Sequence, residues 1–191
     1  MRCSTASRRC ENVRAMEIAK LVLLCIVSLC GYGGVLGAVS AALCPEAFTL
    51  GRPPSFEHWP TLALGAMWGA LDLLIPATFA GIALGLAANF GPRPALKTSF
   101  FHRVVPGLLG MMALVSLAGG IAGFLATRHG MHTITGPLRA TLVVEKHPML
   151  AAVWWSSLGG LLALFASAMI LSAWTWRKRA HIEVMLRDAG R

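Results

Sequence analysis

Charge is what this chain has least of. Of its 191 residues 13% are charged and only eight are acidic, against the roughly 25% charged residues of a soluble domain. A water-exposed surface of ordinary size cannot be built from so few ionised groups. The sequence also has no nucleophile elbow, phosphate-binding loop, pair of catalytic carboxylates or haem-attachment motif. It is therefore expected to be no enzyme and to need no cofactor. The five cysteines, Cys3, Cys10, Cys25, Cys30 and Cys44, form an odd set that fits no intrachain disulfide framework. Cys25 and Cys30 are expected to pack as small hydrophobes inside a helix.

What the chain has instead is length of apolar sequence. Four runs, about residues 18–43, 61–90, 104–126 and 149–176, match or exceed the roughly 20 apolar residues that cross a bilayer. The expected fold is an all-α membrane protein, a bundle of four transmembrane helices over residues 16–179. A disordered basic tail, residues 1–15, is expected before it and a second tail, residues 180–191, after it.

The net charge of +9 would suggest nucleic acid in a soluble protein. Here the cations are sorted by loop. Thirteen of the 17 lysines and arginines lie before the first run or, as Lys20, at its very start, between the second and third, or after the fourth; only Arg52, Arg128, Arg139 and Lys146 lie in the other two loops. That asymmetry predicts both termini in the cytoplasm, an inner-membrane location and the lipid bilayer, rather than nucleic acid, as the partner. A competing expectation is that the first run and the small residues Ser40, Ala41 and Ala42 form a cleaved signal peptide, although the run is longer than the usual signal core. Met16 is a second candidate start.

Punctuation follows the same plan. Pro45 ends the first run, Gly51-Arg52-Pro53-Pro54 makes a rigid outer turn, and Gly91-Pro92 stops the second run. Residues 138–144 have the β-branched, apolar character of a short strand or an interfacial segment. Trp154, Trp155, Trp174 and Trp176 bracket the fourth run as interfacial anchors. Glycines recur four apart at Gly33 and Gly37, Gly65 and Gly69, Gly81 and Gly85, and Gly119 and Gly123. Such faces allow helices to approach closely, within one bundle or in a homo-oligomer.

Asp72 is the only formal charge in the interior of the four runs. An acid there costs roughly 2.5–3.5 kcal/mol on insertion scales and must face protein or water. It would bind a cation or carry a proton, or else be a buried neutral carboxyl bonded to Ser28, Ser116 or Ser157 beside the kink expected at Pro76. In the outer loops Glu46 and Thr49 form a second candidate ligand site. His129, His132, Glu145 and His147 are candidate metal ligands by chemistry, though their spacing matches no closed metal motif.

The stretch Cys44-Pro45-Glu46-Ala47-Phe48-Thr49-Leu50-Gly51-Arg52-Pro53-Pro54 resembles the first outer loop of a group of small four-helix bacterial membrane proteins found in planctomycetes and their relatives. There it reads Pro-Glu-Tyr-Phe-Thr-Ile-Gly-His-Pro. Pro60-Thr61-Leu62, Trp68-Gly69 and the inner loop Gly91-Pro92-Arg93-Pro94 resemble it as well, over about residues 31–179. The chain departs from it at Ala47, at Arg52 and at Leu36-Gly37-Ala38, where the group carries a His-Asp-Gln run. The resemblance implies a topology and names no reaction. The expected function is a non-catalytic accessory or scaffold subunit; the alternatives are a small carrier or ligand-binding channel using Asp72 and the Glu46 loop, or an outer-face metal-binding module.

Overall fold

The structure, a computed structural model, describes residues 4–49, 58–91, 93–131 and 142–189. These residues form helices with no strand among them: α1 Ser4–Leu43, the single turn α2 Glu46–Thr49, α3 Thr61–Asn89, the turn α4 Thr98–Phe101, α5 Val105–Arg128, a 3-10 turn Val144–Lys146, and α6 His147–Ala189. Four helices are long and apolar enough to cross a membrane, so the chain is a multi-pass membrane protein. Large aliphatic and aromatic side chains such as Val27, Leu74, Phe79, Leu114 and Met169 line its exterior. A helix that is apolar on its outer as well as its inner face needs lipid as solvent.

One expectation, at the start of the chain, is corrected. Residues 4–15, expected as a disordered tail, belong to α1, and residues 180–189 belong to α6. Neither stretch contains proline, and neither contains glycine, so each extends a helix already nucleated by its membrane span at little cost. At 1.5 Å per residue α1 and α6 are roughly 60 Å long, against about 30 Å of hydrocarbon. Of the segment 138–144, residues 138–141 lie outside the described part, Leu142 is buried and Val144 opens the 3-10 turn.

The helices pair as two antiparallel hairpins, α1 with α3 and α5 with α6, and the hairpins meet mainly along α3 and α6. Glycines set the first pairing. A Cβ on Gly33 or Gly69 would collide with the carbonyl oxygen of the other, and the same holds for Gly37 and Gly65. Further along the seam, a Cβ on Gly81 would lie 2.8 Å from Cα of Val22 and one on Gly85 2.9 Å from Cγ2 of Ile18. In the second hairpin Gly119 and Gly123 lie against Trp155, and Gly159 against Val115. The glycine faces thus serve packing within the chain.

The ends of the bundle are tied differently. At the end holding both termini, Arg179 is fully buried and its guanidinium donates to the carbonyls of Ala87, Phe90, Arg93 and Pro94 at 2.7–2.9 Å. Ala87 lies in the last turn of α3 and Phe90 is its C-cap, so both carbonyls sit where acceptors have no donor within the helix. A cation at that end also suits the helix dipole. Beside it Arg93 reaches Glu183 at 3.5 Å and lies 4.7 Å from the centre of the Trp176 ring. Glu17 of α1 accepts from the backbone N–H and the hydroxyl of Thr98 at 3.1 and 2.9 Å.

Gly37→Val is expected to destabilise the fold by about 1–3 kcal/mol or more, since the added bulk meets backbone that cannot give way. Gly31→Ala, where nothing lies within 4 Å, should be neutral. Reversible unfolding in mixed micelles measures both, and an unchanged Gly37→Val would contradict the seam.

Candidate functional site

Away from the terminal end the hairpins part. A cleft of about 570 Å³ opens between α1 and α3 on one side and α6 on the other. From α1 it takes Tyr32, Gly33, Leu36, Gly37 and Ser40; from α3, Gly69, Asp72 and Leu73; from α6, Val153, Trp154, Ser157 and Leu158. Ala47 and Phe48 of α2 line it as well, so it reaches from the connection after α1 to the acid in the second span. A cavity of this size is within the range that takes small organic ligands.

The expectation that Asp72 is buried is corrected, because its side chain is exposed and lines the cleft. α3 runs unbroken through Pro76, so Asp72 keeps its place on a continuous helix one turn from Gly69, at the seam. The serines take other roles. Ser116 shares a 2.8 Å hydrogen bond with the hydroxyl of Tyr32, Ser157 donates to the carbonyl of Val153 at 3.0 Å, and Ser28 lines a small apolar cavity near Leu21 and Phe101. Tyr32 is the only tyrosine in the chain. A lone phenol within an apolar span was the available sign that it matters, since a buried Tyr hydroxyl needs a partner.

Glu46 and Thr49 lie apart from Asp72 in their bonding. The carboxylate of Glu46 pairs with the ammonium of Lys146, and the Thr49 hydroxyl bonds back to the Pro45 carbonyl at 3.3 Å. Cys44 is buried against Leu142, Leu150 and Val153, and its thiol is 3.7 Å from Glu46. The hydrogen bond from Lys146 holds the Glu46 carboxyl below the usual glutamate range, while burial raises the Cys44 thiol. These contacts join the connection after α1 to the one before α6, so both lie at one end of the bundle. Arg52, which shares the first of these connections, is outside the described residues.

Of the metal candidates, His129, Glu145 and His147 lie among the described residues. Among the described residues no three His, Cys, Asp or Glu side chains come together to hold an ion. His129 caps the C-terminus of α5, Glu145 is exposed in the 3-10 turn, and His147 starts α6. His132 lies outside the described residues. What the arrangement can do chemically is bind. One carboxyl group, several hydroxyls and the rings of Tyr32, Phe48 and Trp154 surround a space too large for a bare ion and of a size for a small organic ligand. Compared with protein-family models, curated proteins and solved structures, the chain matches none.

Because the folded value of Glu46 is depressed, its tie to Lys146 is present above the ordinary glutamate value of about 4.3 and is lost as pH falls through the lower folded value. Hydrogen exchange over residues 44–49, corrected for intrinsic rates, should therefore speed up at acid pH. Glu46→Gln should speed it at neutral pH and remove the pH step; a step that survives Glu46→Gln would assign it to another group.

Proposed function

We propose that this protein is a ligand-binding protein or small carrier of a cell's inner membrane, with both termini in the cytoplasm, whose cleft takes an organic cation at Asp72. The single observation that carries this reading is the cleft itself, which extends from Ala47 and Phe48 to an ionisable side chain at membrane depth. Acids in that position are expensive and mark functional sites by default. Cation–π contact with Trp154 or Tyr32 would add to the ionic attraction, and both gain from the low dielectric of the site.

The charge distribution supports the orientation. The Arg179 end of the bundle carries most of the cations, and basic residues of the two projecting helices, α1 and α6, extend it. The likeness of residues 44–54 to small bacterial membrane proteins supports a bacterial inner membrane. Reporter fusions placed after Arg52 and after Lys97 should report opposite compartments, the second cytoplasmic. Both in one compartment, or the reverse assignment, would refute the orientation.

A second reading, a non-catalytic accessory or scaffold subunit, draws on those projecting basic arms, which offer a surface to a partner outside the membrane. Asp72 separates the two readings. In lipid nanodiscs, Asp72→Asn should weaken the binding of a short amine such as phenethylamine by about tenfold or more, through loss of a charge-assisted hydrogen bond. Isothermal titration measures it. Equal binding by both proteins, or none by the native chain, would leave the accessory reading in place.

A further inference from the structure

We propose that the end of the bundle holding both termini carries a site for the phosphate of an anionic membrane lipid, formed by Arg14 of α1 and Arg93 of the connection after α3. The site is separate from the Asp72 cleft and does not depend on it.

Arginines from different parts of the chain meet on one short connection. Arg179 donates to the carbonyls of Phe90, Arg93 and Pro94, and Arg14 reaches the carbonyl of Gly91, between them in sequence, at 3.3 Å. Arg93 belongs to the same connection, so the guanidiniums are close enough that Arg14 and Arg93 each repel the charge of Arg179. Acids do not balance them. Glu183 is shared, 3.5 Å from Arg93 and 2.6 Å from Arg187. Glu17, one turn from Arg14 on α1, is taken up by Lys20 and Thr98. Arg179 is spent on its carbonyls, whereas Arg14 is exposed and uses a single N–H of its fork. Arg93 is partly exposed as well. An anion with several acceptor oxygens answers both the charge and the unused donors.

The aromatic side chains around the cluster identify the source of that anion. Trp174 and Trp176 of α6 are half-exposed. Arg93 lies 4.7 Å from the centre of the Trp176 ring, and Lys178 lies 4.2 Å from that of Phe100, which stacks on Trp174. Tryptophans in such a belt sit at the depth of lipid headgroups. Basic pockets between membrane helices at that depth take anionic headgroups. On the membrane side of the connection the exposed Leu86 and Phe90 offer apolar surface to the acyl chains of the same molecule.

Native mass spectrometry of the full chain in detergent, with equimolar phosphatidylglycerol and phosphatidylcholine of matched acyl chains, tests the site. The native chain should retain phosphatidylglycerol in preference. Arg14→Gln should cut that preference about fivefold, the share expected of one cation at a lipid surface, while Arg14→Lys and Arg103→Gln should keep it. Arg103 is an exposed arginine farther along the same connection, and it separates a site from diffuse positive charge. An unchanged preference in Arg14→Gln, equal loss in Arg14→Gln and Arg103→Gln, or no preference in the native chain would overturn the site. Displacement of phosphatidylglycerol by millimolar inorganic phosphate would assign the arginines to a soluble anion and overturn the lipid.

Discussion

The structure depends on backbone meeting backbone at Gly33, Gly37, Gly65 and Gly69. In lipid there is no hydrophobic force to drive two apolar helices together, so close van der Waals contact must do it. Four residues without side chains, spaced to share one face on each helix, give α1 and α3 that contact. The same seam places Asp72 where it is, because Gly69 lies one turn before it and turns the acid toward the margin of the helix pair. Any larger residue in the seam would separate the helices and move one wall of the cleft.

The two halves of the bundle are built on different terms. Toward the termini the space between the hairpins is filled by Leu21, Cys25, Leu84, Phe101, Leu164 and Leu171, and Arg179 locks α6 to the end of α3. A buried guanidinium is tolerated there because it donates to four carbonyls, two of them at a helix terminus whose acceptors lack donors within the helix. Toward the other end the filling stops, and the connections close the bundle through Cys44, Leu142 and the Glu46–Lys146 pair. Between lock and closure lies the cleft. A cavity can persist in this region because both ends hold the hairpins at a fixed spacing.

The spans were legible because apolar length is a property of consecutive residues, and the four observed helices cover the expected runs to within a residue at each end. The glycine spacing was legible as a packing face, though not whether its partner was another helix of the same chain or a second copy. The projecting helices were missed because their polar residues carry no apolar periodicity, while helix continuity through Lys20 and Arg177 depends only on the absence of breakers. Asp72 was visible as a lone acid, yet its exposure was misjudged: a sequence shows that an acid lies in a span and not whether the neighbouring helix closes over it. Ser116, offered with Ser28 and Ser157 as a partner for Asp72, bonds to Tyr32, 84 positions away along the chain.

By itself the sequence determined that this chain lives in a bilayer, how many times its helices can cross it, which loops share a side and where helices can touch. Those properties are local, set by runs, breakers and spacing along one helix. Only the tertiary structure decided which faces meet, that Arg179 is a buried lock as well as part of a basic stop, that Glu46 belongs to Lys146, and that a cleft leads to Asp72. The Arg179 and Glu46 contacts join residues about 85–100 positions apart, and all of these features depend on contacts between helices distant in sequence. Those contacts are a balance of packing between helices, and no single stretch of the chain encodes them.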